Sequence, residues 1–227
     1  MSARRWLEMT WRDGLFCHWA VDPAVVAETL PARLSVATHG GDAYLGVVAF
    51  VMDDIRPRGS PVGLSFPELN LRTYVEGPSG PGVYFYNLDA ADRFGVAVAR
   101  RLFALPYYRA EMTARRDGDA VRFTSRRVHR DAPHARFDAT YAPDGDPFVP
   151  DPDSRDAFFV ENYRFYTSGR GLYVGEIAHE PWTLREARVD LRANTLFEAN
   201  GFERPDGEPT AHVADPIDVT ADRIRRV

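Results

Sequence analysis

Four polar side chains recur at every second position in PELNLRTYV: Glu68, Asn70, Arg72 and Tyr74. In an extended strand alternate side chains share a face, so these four point one way while Leu69, Leu71, Thr73 and Val75 point the other. A carboxylate, an amide, a guanidinium and a phenol on one face can move a proton, orient a polar ligand and clamp a carboxylate in forked geometry. The same face can also be the wet side of an antiparallel sheet. Tyr84 and Tyr86 in GVYFYNLDA add bulk and hydroxyls nearby, the mixture that lines small-molecule pockets. Asn70, Arg72, Tyr74, Tyr84 and Tyr86 are therefore candidate substrate-binding residues, and Glu68 is the candidate acid or base. Glu68 and Arg72 are about 13 Å apart along a strand that rises roughly 3.3 Å per residue. They cannot pair with each other without a bend, so each needs another partner or a ligand.

The positioning elements follow from the pattern on either side. Glu68–Val75 and Val83–Asp89 read as a hairpin turned by the Gly- and Pro-rich segment Pro78–Gly82. From Asp92 the period changes: Phe94, Ala97, Val98, Arg101, Leu102 and Leu105 share a helical stripe that Pro106 ends. A strand then starts at Tyr107, with Tyr108 and Ala110 alternating against Arg109 and Glu111, and an Asp117-Gly118 turn leads into Val121 and Phe123 and on to Phe137, Ala139 and Tyr141. The middle of the chain is thus an antiparallel meander. Upstream, Leu15–Val21 reads as a short strand, Asp22 and Pro23 as the start of a short helix, and Ala43–Met52, apolar on both faces, as a strand buried between two layers.

Downstream, Asp144–Pro152 reads as a long exposed loop, Ser154–Val160 as a short helix and Tyr163–Thr167 as a strand. Leu172–Ala178 is a strand that HEPW interrupts before Arg185–Leu191 resumes, and Asn194–Asn200 is a short helix stopped by Gly201. Ala211–Val227 alternates weakly, as a last edge strand would. No internal repeat appears, and the pattern is that of a single domain over residues 1–227.

Composition limits the function classes. A chain of 227 residues with 44% hydrophobic content can bury a full core. Its net charge of −5, with acidic and basic residues interspersed, offers no basic patch for nucleic acid. No apolar run approaches the roughly 20 residues of a membrane helix, and MSARRWLEMTW lacks the apolar centre of a signal peptide. A soluble cytoplasmic protein is expected. Cys17 is the single cysteine, which excludes an intrachain disulfide. The histidines are scattered without paired spacing, and no phosphate loop or dinucleotide fingerprint is present, so neither a metal nor a cofactor is expected. All 28 basic residues are arginine, and without a lysine no lysine Schiff base can form.

Taken together, PELNLRTYV, GVYFYNLDA, ARRLFALPYYRAEM, ENYRFYT and HEPW resemble the YqjF-type uncharacterised conserved proteins, over nearly the whole chain from WRDGLFCHW onward. That family is similar in fold to acetoacetate decarboxylase. The resemblance implies an α+β single domain: a largely antiparallel, cone-shaped β-barrel with a few helices packed outside. Ala99-Arg100-Arg101 leading to Pro106-Tyr107 is similar in spacing to the decarboxylase segment that ends in the Schiff-base lysine. Arg100 then matches an arginine, Arg101 replaces a glutamate, Tyr107 stands where the lysine would be, and Glu68 resembles a pocket carboxylate.

Three classes of function remain open. The first is an enzyme acting on a carboxylate or carbonyl compound without an imine, a lyase, isomerase or hydrolase. In it Glu68, Tyr107 and His179 are the candidate catalytic groups, and Arg100, Arg109 and Trp182 join the substrate-binding set. Tyr107 can donate to a developing oxyanion or serve as aromatic packing with a polar tip. His179 can transfer protons or shape the bend in which Pro181 holds Glu180 extended. The second class is a noncatalytic barrel that binds a small-molecule ligand. The third is a structural or interaction protein whose polar cluster closes the fold. The edge strands of an open barrel are compatible with a homo-oligomer.

Overall fold

The computed structural model describes residues 6–91, 105–169 and 171–227. The helix expected from Asp92 to Leu105, and Arg100 with it, falls almost wholly outside the described residues. The N-terminal half forms β1 (Leu7–Val21), β2 (Ser35–Val36), β3 (Ala43–Pro57), β4 (Leu64–Gly77) and β5 (Gly80–Ala90). The meander follows as β6 (Tyr107–Asp117), β7 (Ala120–Arg127) and β8 (Arg136–Phe148). The remainder supplies β9 (Arg164–Ser168), β10 (Leu172–Ala178), β11 (Leu184–Asn194), β12 (Thr210–Ala214), β13 (Ile217–Ala221) and β14 (Arg225–Arg226). Short helices occupy Pro23–Ala27, Arg155–Val160 and Leu196–Ala199.

Pairing closes this sheet on itself twice. β1, β3, β4 and β5 are hydrogen-bonded in that order and form a shared wall. From β5 one circuit runs through β6, β7, β8, β11 and β12 back to β1. The other runs through β9, β10 and β13 back to β1. Among the described residues all pairings are antiparallel except β5 with β6 and β5 with β9. The sheet is a closed, largely antiparallel barrel with few helices.

Because the wall has an interior on each side, both of its faces are buried. Leu15, Cys17, Leu45, Val47, Leu69 and Leu71 pack with Phe123 and Phe137 inside the first circuit. Met9, Phe16, Val48, Phe50 and Phe66 pack with Leu88, Phe159 and Trp182 inside the second. This is why Ala43–Met52 is apolar at every position.

Two parts of the sequence reading give way. Asp144–Phe148 continues β8, paired through Asp144 with Glu186 and through Phe148 with Leu184, so the expected loop is shorter. Proline is tolerated there because β7 pairs with β8 only as far as Tyr141, so Pro143 and Pro147 lie where β8 has a single neighbouring strand, and Pro147 falls in the register shift between the Asp144 and Phe148 pairs. The C-terminal region also forms three strands instead of one edge strand, and β12 is sandwiched between β1 and β11.

β-Bulges decide which side chains reach the second interior. The register of β1 on β3 shifts between Arg12 and Leu15, where Asp13 takes a left-handed φ of 57°. Before the shift Met9 and Trp11 face the second interior; after it Phe16 does, so odd positions give way to even ones. In β5 the partner of Leu71 is Asn87 and that of Arg72 is Phe85, which skips Tyr86. Each bulge inserts one unpaired residue and reverses the facing of everything beyond it.

Candidate active site

The second interior is incompletely filled. A cavity of about 150 Å³ remains, with Glu68, Asn70 and Arg72 on one wall and Trp11, Phe16 and Phe50 among its apolar lining. Tyr107, His179 and Trp182 also border it. The alternation along β4 therefore turns its polar residues inward, away from solvent, and Glu68, Asn70 and Arg72 are all buried.

Glu68 sits in an apolar environment. Burial pushes its carboxyl up to about 7; the Tyr107 and Asn70 side chains hold it down through hydrogen bonds, and the nearby Asp89 charge pushes it up again. The Tyr107 hydroxyl donates to Glu68 Oε2 at 2.6 Å. β6 delivers this phenol, since Tyr107 pairs with Leu88 on β5. Burial, and then the neighbouring Glu68 charge, raise the Tyr107 hydroxyl well above the usual phenol range, so it stays a donor. Behind this pair, Asp89 is ion-paired with Arg127 at 2.9 Å, both fully buried.

Arg72 has a different surrounding. Its Nη2 donates to the carbonyl oxygen of Phe159 at 3.0 Å, and its Nε is buried without a partner. The guanidinium carbon lies 5.4 Å from the Phe16 ring and 5.8 Å from the Tyr74 ring. Among the described residues no carboxylate forms an ion pair with it, a rare condition for a buried cation. The Phe159 carbonyl comes from the last turn of helix Arg155–Val160, whose Ser154 side chain caps the first turn by accepting from the Ala157 N–H. The Tyr74 hydroxyl also donates to that carbonyl at 2.9 Å and shares a 2.7 Å hydrogen bond with His18 Nε2. Burial, reinforced by the Arg72 charge, keeps His18 neutral by lowering it well below its usual value.

Gly46 makes this packing possible. A Cβ there would lie 3.0 Å from His18 Cδ2, 3.1 Å from His18 Nε2 and 3.4 Å from Arg72 Cγ. Gly46→Ala should displace both side chains and destabilise the protein by about 1–3 kcal/mol, measured by urea unfolding.

The other candidates divide. His179 borders the cavity and its Nε2 is buried without a partner, while Nδ1 shares a 2.7 Å hydrogen bond with the Glu180 carbonyl. Trp182 stacks on Trp11 at 6.1 Å and meets Phe16 edge-on at 5.2 Å. Tyr74 stands behind Arg72 as its support. Tyr84 and Tyr86 point away from the cavity: their hydroxyls meet Ser168 and Thr29, because the β5 bulge turns them to the opposite face from Leu88 and leaves Val83 and Phe85 on the cavity side. Arg109 pairs with Ala90 at the start of β6 and does not border the cavity. Sequence reasoning missed Trp11 and Phe16, whose common facing depends on a bulge, Phe50, which lies in a run apolar on both faces, and the Phe159 carbonyl, a backbone group without a side-chain signature.

Comparisons with known proteins agree with this architecture. A family described as "Uncharacterized conserved protein" matches residues 8–218. The uncharacterized protein YqjF of Bacillus subtilis is 39% identical over 217 residues, which cover 94% of this chain and 89% of that protein. Among solved structures, the enduracididine biosynthesis enzyme MppR in complex with pyruvate has a TM-score of 0.67 at 12% identity, covering 100% of this chain and 91% of its own. An acetoacetate decarboxylase from Legionella pneumophila has a TM-score of 0.64 at 12% identity, covering 98% and 86%. These two likenesses are of fold, and the fold is that of acetoacetate decarboxylase. By sequence, the chain belongs to the DUF2071 family of uncharacterized conserved proteins.

Proposed function

We propose that the protein is an enzyme that binds a small carboxylate carrying a carbonyl group and moves a proton at the carbon beside that carbonyl. The observation that carries this reading is the pairing, in one apolar cavity, of a carboxyl raised to about 7 with a buried arginine that has no carboxylate partner among the described residues. Arg72 receives the substrate carboxylate, the anion that its surroundings do not supply. Glu68, oriented by the Tyr107 hydroxyl, takes the proton from carbon; the electron pair left by the C–H bond moves onto the carbonyl oxygen as an enolate, and Glu68 returns the proton. A carboxyl that titrates near neutrality serves both directions. The chemistry stops short of an imine because the chain has no lysine. MppR, which shares the fold, is solved with pyruvate, so the scaffold accommodates a small oxo acid in at least one protein.

The test is exchange of protons beside the carbonyl for deuterium, followed by ¹H NMR in D2O with a panel of short oxo acids. Wild-type protein should catalyse exchange with at least one of them, and Glu68→Gln should reduce it to background. Acids that bind without any exchange would show a ligand-binding barrel instead, and a panel that neither binds nor exchanges at about 10 mM defeats the reading altogether.

A further inference from the structure

The spacing of the two charged ends carries an inference about substrate shape that rests on the acid–base role proposed for Glu68. β4 is regular against β3 between them: Phe50 pairs with Glu68, Val48 with Asn70 and Gly46 with Arg72, and the β4–β5 shift between Leu71 and Arg72 is an extra residue on β5. The α-carbons of Glu68 and Arg72 are thus about 13 Å apart, and side chains standing roughly perpendicular to a sheet do not close such a gap. Different elements also pin the two ends. Tyr107 on β6 holds the Glu68 carboxyl, and the Phe159 carbonyl of helix Arg155–Val160 holds the Arg72 guanidinium.

Between the ends lies a continuous aromatic wall. From Arg72 it passes to Phe16 at 5.4 Å, to Trp182 at 5.2 Å, to Trp11 at 6.1 Å and to Phe50 at 5.0 Å, and Phe50 is the cross-strand neighbour of Glu68. Asn70, midway on β4, leaves its Oδ1 buried without a partner. The cavity volume of about 150 Å³ is comparable to cavities that hold a benzene-sized molecule. A ligand of that size, stretched along the wall, reaches from one end to the other; one whose carboxylate adjoins its carbonyl occupies a single end.

We infer that the substrate's carboxylate and its reacting carbon stand at opposite ends of an apolar spacer, not side by side. A hydrogen bond at each end takes up about 3 Å, which leaves about 7 Å of ligand, or roughly five carbon–carbon bonds in extended form. The substrate class is therefore a monocarboxylic acid with a remote keto group and a chain of about six carbons. Among the described residues the other arginine bordering the cavity is Arg164, which lies 3.8 Å from Glu176, a carboxylate neighbour that Arg72 lacks.

The isomers 5-oxohexanoate and 2-oxohexanoate separate the two geometries, because they share formula, charge and chain length. With the full-length wild-type protein in D2O, exchange of the protons beside the 5-oxo group should exceed exchange beside the 2-oxo group by at least about tenfold under the same conditions, after subtraction of the uncatalysed rates. Equal exchange, or faster exchange of the 2-oxo isomer, overturns the inference while leaving the role of Glu68 standing. If both acids bind, seen as line broadening, and neither exchanges, the role of Glu68 fails and the inference with it.

Discussion

Arg72→Met should make the ligand-free protein more stable and less able to bind. Arg72 is 8% exposed, and its guanidinium donates one hydrogen bond to the Phe159 carbonyl and leaves Nε without an acceptor. Removing a charge from water costs several kcal/mol, and here no carboxylate offsets it. A methionine of similar length would rest against the Phe16 and Tyr74 rings, a favourable neighbourhood for a thioether. The substitution also orphans nothing, because the Phe159 carbonyl still accepts from the Tyr74 hydroxyl at 2.9 Å and from Asn162 Nδ2 at 3.3 Å. The expected gain is about 1–3 kcal/mol, read as a melting temperature higher by several degrees. Affinity for a small carboxylate should fall by roughly 10- to 100-fold with the loss of a charge-assisted hydrogen bond. A variant destabilised by several kcal/mol would mean instead that the guanidinium holds the barrel together. The native residue is thus expected to trade stability for recognition, as groups at functional sites often do.

What could be read from the sequence was whatever depends on local alternation. The period of two in PELNLRTYV separates Glu68, Asn70 and Arg72 from Leu69 and Leu71, and the structure sends the two sets into different interiors. Strands β6 and β7 lie within a few residues of their expected limits, since each has a polar turn and one half-buried face. Asp22 caps its helix by accepting from the Ala24 N–H, as a short side chain ahead of proline does. The unbroken apolar run at Ala43–Met52 signalled burial on both faces; it did not show that the two layers are the interiors of two closed circuits sharing one wall.

Less legible was anything set by an inserted residue or by a distant partner. Tyr84 and Tyr86 look equivalent to the tyrosines of a pocket, but a single bulge on β5 turns them outward from it. Trp11 and Phe16 differ by an odd number of positions, so alternation alone places them on opposite faces. The left-handed Asp13 followed by Gly14 brings them to the same one. Asp-Gly is a turn signal as well as a bulge signal, and only pairing with β3 decides between them. Closure of the two circuits by β12 and β13 against β1 joins residues some 200 positions apart, such as Leu15 with Val213, and no local pattern encodes that contact.

Glu68 makes a prediction in which pH separates a strained acid from a structural one. The carboxyl moves from 4.5 to about 7 on folding because the apolar cavity disfavours its charged form more than the Tyr107 and Asn70 hydrogen bonds favour it. The folded protein therefore holds this proton to higher pH than the unfolded chain. Its contribution to stability is complete below about 4.5, declines as pH rises and has disappeared by about 7, where the folded carboxyl ionises. A displacement of that size corresponds to about 3 kcal/mol. Glu68→Gln keeps an oxygen that can accept from the Tyr107 hydroxyl but has nothing to ionise, so it should lack this pH dependence. Urea unfolding of both proteins at about pH 5 and pH 8 should show the stability difference shifting by about 2.5 kcal/mol in favour of the variant at the higher pH. In the same window the exchange reaction of the wild type should rise as the base ionises, so the pH range in which the site becomes active is the range in which the fold becomes weaker. Parallel stability profiles for the two proteins would instead place the Glu68 carboxyl in contact with water and remove the reason for its elevated value.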